Sequence, residues 1–262
     1  MISADKKIVE ILWTGGFDSS CRIIQLSKLD VIIQPYYLVD SKYRRSVSYE
    51  LNAIAQIKND IENHPDTRCS IRPLIKVDVS DLAPDWEIMT AYKRIRKEIG
   101  IGIQYEWLAR FAGRHTGIEI CLERDESGRI FNYFNRMGKL RTMGNGVLSY
   151  MEFDRPATDK DILTVFGNFR FPIPIRKKTK FELIDDYKRL GFEQTMYKTW
   201  FCHNPVSGEP CGVCNPCKIV VNDGLLFRMP PASMKRHARE IKNESKLWFK
   251  LWKKIRWRLK GY

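Results

Sequence analysis

Apolar residues recur along the chain with two alternating periods. Ile8 to Trp13 is a short run of β-branched and large apolar residues, the pattern of a buried parallel strand. Thr14 to Ser20 is polar and glycine-rich, and from Ser19 onward Cys21, Ile23, Ile24, Leu26 and Leu29 fall on one helical face. Val31 to Val39 reads as a second strand ending at Asp40, and apolar positions 47, 51, 54, 57 and 61 mark a helix. Ser70 to Val77 predicts a third strand, Gln104 to Ala112 a helix, and Ile118 to Leu122 a fourth strand. Strands alternating with helices predict an α/β fold with a doubly wound parallel sheet. Residues 124–156 mix Gly, Asn, Arg and aromatics and read as a partly helical insertion. Beyond the proline-bounded stretch 171–175, helices are expected over Phe181–Leu190 and Lys218–Phe227.

The chain has 262 residues, enough for one α/β domain with an elaboration. It holds no run of 18 or more apolar residues, which excludes a membrane-spanning helix. The start, MISADKKIVEILW, lacks the small-residue cleavage site of a signal peptide, so a cytoplasmic location is expected. The net charge of +14 suggests a nucleic-acid or anionic-membrane partner. Most of it is local: Met234 to Tyr262 carries eleven Lys or Arg against two Glu, a net +9, leaving +5 elsewhere. A body of that charge suits an enzyme of anionic substrates, with nucleic acid an unlikely partner. Within the tail, Leu247, Trp248, Leu251, Trp252, Ile255 and Leu259 form a stripe at helical spacing among cations. Such a helix packs on the body or a homodimer partner, lies on an anionic membrane surface, or docks a nucleic acid or acidic protein.

Thr14-Gly15-Gly16-Phe17-Asp18-Ser19-Ser20 stands where a doubly wound fold places a phosphate-binding loop, after the first strand and opening the first helix. Paired glycines let backbone N–H groups approach an anion, and the helix N-terminus adds favourable charge. Thr14, Ser19 and Ser20 supply hydroxyls, and Asp18 is placed to hold a metal or cap the helix. The Gly-Lys-Ser/Thr ending of a Walker A loop is absent. Asp40, at the end of the second strand, is at the carboxyl edge where such sheets bind ligands.

Of seven cysteines, Cys202, Cys211, Cys214 and Cys217 lie within sixteen residues. Four thiolates at these spacings suit one tetrahedral zinc, closed and therefore structural. An iron–sulfur cluster or two disulfides are the alternatives. His64, His115 and His237 have no partner at metal or triad spacing and read as ordinary side chains.

The string from Thr14 to Ser20 resembles the pyrophosphate loop of the PP-loop ATPases, which usually begins with Ser. Together with the cysteine block, the Phe171–Lys178 stretch and Asn222-Asp223-Gly224-Leu225, it is similar to the 7-cyano-7-deazaguanine synthases. The similarity covers about 8–40 and 170–226. The resemblance implies ATP bound at Thr14 to Ser20, a Mg²⁺ ion, structural zinc, and activation of a 7-carboxy-7-deazaguanine carboxylate for attack by ammonia. Asp18, Ser19 and Lys178 are then the candidate catalytic residues, and Asn168 and Arg170 candidates for the border of the acceptor pocket.

There are departures from the family. Asp40-Ser41-Lys42-Tyr43-Arg44-Arg45 replaces its aromatic-Gly-Gln-Arg-His run, although Glu50 fits its downstream acidic position. Ile101 to Tyr105 stands where the family has Pro-Gly-Arg-Asn. The acceptor end is thus less conserved in kind than the nucleotide end. This pattern is compatible with a branch of the family found in antiphage operons, where the acceptor amine belongs to a protein. A PP-loop ATPase that modifies tRNA, and a degenerate nucleotide-binding scaffold, are the other readings. The expected organisation is a nucleotide-binding α/β domain over 1–170, a zinc-binding helical subdomain over 171–234, and a basic amphipathic helix over 235–262.

Overall fold

The computed structural model describes residues 6–42, 44–122 and 129–244. The stripe expected at 247–259 lies outside the described residues. By Cα proximity the chain divides into two compact units. One holds residues 1–43 and 47–200, the other 44–46 and 201–262. Residues 171–200 thus group with the first unit.

The first unit runs β1 (Ile8–Leu12), α1 (Phe17–Ser27), β2 (Ile32–Val39), α2 (Val47–Glu62), β3 (Ser70–Ile71), β4 (Ile75–Asp78), α3 (Trp86–Ile99), α4 (Gln104–Ala112) and β5 (Ile118–Glu119). It continues through α5 (Arg129–Met137), β6 (Leu140–Met143), β7 (Tyr150–Phe153), α6 (Lys160–Phe166), β8 (Phe169–Pro172), α7 (Ile173–Arg176), α8 (Lys180–Arg189) and α9 (Glu193–Met196). The strands form one sheet in the order β3-β2-β1-β5-β8-β7-β6, with β4 also pairing β2. Strands β1 to β5 and β8 pair in parallel, while β6 and β7 are antiparallel. The expected mostly parallel, doubly wound α/β architecture is therefore present. Chain order reverses direction at β1, which has β2 on one side and β5 on the other. The carboxyl end of β1 is a topological switch point, the usual ligand crevice of open α/β sheets.

Two strand expectations are corrected in detail, and two regions are filled in. The single strand over 70–77 is broken in two, because Pro73 in the gap has no N–H to give to the ladder. The Gln34 amide instead donates to the Pro73 carbonyl at 3.2 Å. The strand expected over 118–122 pairs only at Ile118 and Glu119. The insertion contains α5 and an antiparallel hairpin, β6–β7, that extends the sheet beyond β8. Its interior is aromatic, with the Phe134 ring 5.0 Å from Phe153, 4.8 Å from Phe166 and 5.6 Å from Phe171. Finally, the periodicity of α3 is an addition to the sequence reading. Asp85 caps it by accepting from the Ile88 N–H, Ile88, Ala91, Tyr92 and Ile95 bury one face, and Gly100 ends it at φ +67°.

The second unit holds the cysteine block, α10 (Asn215–Asn222) and α11 (Pro231–Glu244). The helix expected to reach Phe227 stops at Asn222, and Leu226–Arg228 forms a separate 3-10 turn after Gly224 at φ +73°.

Candidate functional sites

The loop expected to hold phosphate begins at the carboxyl end of β1. Gly15 adopts φ +67°, and a Cβ there would lie 2.8 Å from the Glu50 carbonyl and 3.1 Å from Ala53 Cβ. Only glycine fits both the conformation and the space. Gly16 is the N-cap of α1 and offers no side chain to the helix's first amides. Its missing Cβ would stand 3.1 Å from Thr14 Oγ1 and 3.7 Å from the Trp200 carbonyl. Trp200 in turn donates its N–H to the Gly15 carbonyl at 2.9 Å and stacks on Tyr49 at 4.6 Å. The loop is thus braced from α2 and from residue 200, and the N-terminal amides of α1 have no side-chain cap.

The members of the predicted string separate by direction. Phe17 is buried against Tyr187, ring to ring at 5.1 Å, and its carbonyl accepts from the Tyr187 hydroxyl at 2.8 Å. Ser20 is fully buried, and its Oγ accepts from the Trp13 indole at 3.0 Å. These two side chains hold β1, α1 and α8 together. Thr14 and Asp18 are partly exposed, and Ser19 is 9% exposed. Asp40 is at the carboxyl end of β2, partly exposed. Glu50 is buried and accepts from the Tyr37 hydroxyl at 2.8 Å.

Of the two lysines near the proline stretch, Lys180 reaches the loop and Lys178 is held elsewhere. Lys180 Nζ is 2.6 Å from Asp18 Oδ1 and 5.4 Å from the Phe17 ring centre. Lys178 Nζ is 2.5 Å from Asp186 Oδ2, which also accepts from Gln25 at 2.8 Å. The other Asp186 oxygen takes Arg189 at 2.7 Å. Burial pushes the Asp186 carboxyl up, but the hydrogen bonds from Lys178, Arg189 and Gln25 together outweigh it and hold it below its ordinary value. The start of α8 is what sends the two lysines in different directions. Thr179 and Glu182 form a capping box, so the helix opens at Lys180 and aims it at α1. A cation in the first turn of a helix opposes the macrodipole, a local cost that the Asp18 carboxylate offsets.

Behind the loop lies a buried ion pair without a signal in the sequence. Arg22 of α1, fully buried, donates to both oxygens of Glu119 on β5, at 2.7 and 2.8 Å, and to the Val147 carbonyl at 2.6 Å. Burial disfavours the guanidinium charge, but the Glu119 carboxylate more than restores it, so its pKa is raised. Arg170, an expected neighbour of the acceptor pocket, pairs in register with Glu119 and lines a cavity with Lys7 and Thr116 at the amino ends of β1 and β5.

In the second unit the four predicted cysteines converge. Their Sγ atoms all lie within 4.8 Å of one another, with Cys211–Cys217 and Cys202–Cys214 at 3.9 Å and Cys214–Cys217 at 3.4 Å. A regular tetrahedron of Zn–S bonds of about 2.3 Å has sulfur–sulfur edges of about 3.8 Å, so the four fit zinc. The Cys211 amide donates to Cys202 Sγ at 3.1 Å, and the Cys214 amide to Cys211 Sγ at 3.2 Å. Such N–H···S contacts stabilise thiolates, the form in which cysteine ligates a metal. Gly212 sits at φ +82°, where a Cβ would be 2.2 Å from the Ser233 carbonyl.

The knuckle has a clamp that sequence spacing did not reveal. From α11, Ser233 Oγ meets the Pro210 carbonyl at 2.5 Å, and Arg236 donates to the Cys211 and Pro210 carbonyls at 3.0 and 2.9 Å. His237, 6% exposed, places Nδ1 2.9 Å from the Gly212 carbonyl. A histidine read as ordinary is therefore part of the support around the cysteines.

No protein-family model matches this chain, and no curated protein matches it. Among solved structures, a 4-thiouridine synthetase–RNA complex with bound ATP is similar, at 15% identity and a TM-score of 0.36. The likeness covers 88% of this chain, which spans about half, 53%, of that one.

Proposed function

We propose that this protein is an ATP-dependent, AMP-forming enzyme of the PP-loop kind. The observation that carries the reading is the loop itself: two glycines at the switch point of the sheet, opening a helix with no side-chain cap, beside a lysine delivered from α8. Gly15 and Gly16 would bring their backbone against the polyphosphate, and the amides of Phe17, Asp18 and Ser19 would donate to it. Lys180 would neutralise phosphate charge, taking the place assigned from sequence to Lys178. Mg²⁺, when bound, would neutralise further charge on the phosphates, with Asp18 and the Ser19 hydroxyl as the residues placed to hold it.

The finer reading follows the similarity to the 7-cyano-7-deazaguanine synthases. A carboxylate oxygen of 7-carboxy-7-deazaguanine, or a close analogue, attacks the α-phosphorus and pyrophosphate leaves. An amine then attacks the carbonyl carbon and AMP leaves, forming an amide C–N bond. The amine is ammonia or an amine of a partner protein, and nitrile formation would require a second activation.

Purified protein given ATP, Mg²⁺, ammonium and 7-carboxy-7-deazaguanine is expected to release pyrophosphate and AMP in step with the acid. Product mass separates amide from nitrile. AMP formed only with tRNA would replace the deazaguanine reading with a tRNA-modifying one. No AMP with either substrate would overturn the enzyme reading.

A further inference from the structure

At the opposite edge of the sheet from the glycine loop, between the amino ends of β1 and β5, lies a cavity of about 360 Å³. Its wall carries three cations, Lys7, Arg72 and Arg170, and two carboxylates, Glu10 and Glu119. The carboxylates are already engaged. Glu119 receives both arms of Arg22, while Glu10 accepts from the Tyr36 hydroxyl at 2.7 Å and stands 3.6 Å from His115 Nδ1. Among the described residues, the side chains of Lys7, Arg72 and Arg170 make no ion pair or hydrogen bond, and Arg170 Nε is buried with no acceptor.

Arg170 is also fixed in place. Its guanidinium lies 4.4 Å from the Tyr150 ring centre. Gly117, at φ +90°, brings the backbone so near that a Cβ would stand 3.0 Å from Arg170 Cζ. A planar five-donor group is thereby held rigid, its orientation set before any ligand arrives. Two further cations share the cavity, and the two acids are spoken for.

We propose that this cavity is a second anion site, one that takes a phosphoryl group. A guanidinium fork matches phosphate oxygens in a bidentate manner, and a lysine adds a point charge. The volume is near the lower end for small-ligand sites, which favours a phosphate monoester of mononucleotide size. The backbone of a nucleic acid presents the same group. The site stands on its own residues and does not depend on ATP at the glycine loop.

Calorimetric titration of the full chain with inorganic phosphate, AMP and a ten-nucleotide single-stranded RNA tests this. Arg170→Gln is expected to weaken phosphate and AMP binding at least tenfold. Because Arg170→Gln also removes the contact with Tyr150, the double variant Lys7→Gln/Arg72→Gln, at two exposed positions, repeats the test and should show a similar loss. Binding of a non-hydrolysable ATP analogue should stay within twofold in both variants, which places the effect away from the loop. AMP binding more tightly than phosphate identifies a monoester site. RNA binding most tightly, with the same dependence on these side chains, identifies a phosphodiester backbone as the source. Phosphate and AMP affinities unchanged in both variants, or no heat from any of the three probes at millimolar concentration, overturn the proposal.

Discussion

The Lys180 ammonium lies 2.6 Å from the Asp18 carboxylate, joining the first residue of α8 to the first turn of α1. Lys178, two residues earlier, is bound to Asp186 together with Gln25 and Arg189. One lysine faces the loop and the other is held by a buried carboxylate of α8.

That division predicts different failures. Lys180→Ala is expected to lower ATP-dependent AMP formation about a hundredfold, the usual effect of removing one group that stabilises developing charge. Its melting temperature should move little, since Lys180 makes one ion pair with the partly exposed Asp18, whereas Lys178 pairs with the buried Asp186. Lys178→Ala is expected to lower the melting temperature and to affect turnover much less. Steady-state kinetics and thermal melts on both variants check this, and the reverse pattern would restore Lys178 to the phosphate.

Asp186 gives a prediction in pH. Its folded carboxyl is held below its unfolded value, so its contribution to stability is present above about pH 4 and is lost as pH falls through the folded value. Asp186→Asn is expected to be less stable than the wild type at pH 7, with the gap narrowing as the pH is lowered below 4. Urea midpoints at several pH values measure it. A gap that stays constant with pH would mean that the lost contacts were not ionic.

The buried pair of Arg22 and Glu119 should behave as a unit. Glu119→Ala leaves a guanidinium stranded in the core and is expected to cost about 3–5 kcal/mol in urea unfolding. The double variant Arg22→Met/Glu119→Leu should recover most of that loss, because well-packed apolar replacements of buried pairs are often neutral. No recovery would assign the effect to packing.

For the cysteine cluster, purified protein is expected to carry one zinc per chain by elemental analysis. Cys214→Ser should reduce this to well under one, and a chelator should lower the melting temperature. Structural zinc contributes about 10–16 kcal/mol of apparent binding energy in small domains, so loss should unfold the second unit. Iron in place of zinc, with visible absorbance, would show a cluster instead.

Much of this was legible in the sequence because it is written in short range. The run Ile8–Trp13, the period of 47–61 and the four cysteines each declare themselves within a window of twenty residues. Helix α3 has equally local marks, with Asp85 before it and Gly100 after it. The β6–β7 hairpin was not legible, because its strands are four residues each and β7 joins the sheet only through β8, about twenty residues later. Arg22 looked like any helix arginine, since its partner Glu119 is 97 residues away. Lys178 and Lys180 could not be told apart by resemblance, because a capping box at Thr179 decides which one opens the helix.

The broken strand at Pro73 also bears on how the protein behaves in a crowd of its own copies. At one margin of the sheet, β3 and β4 are two and four residues long; at the other, β6 has four residues. Among the described residues, neither border offers the long, flat row of open amides and carbonyls that recruits a strand from another chain. A mainly parallel sheet forms slowly and leaves such rows bare while it assembles. Short, interrupted margins limit the templating of amyloid-like growth during that interval, at the expense of a few ladder hydrogen bonds.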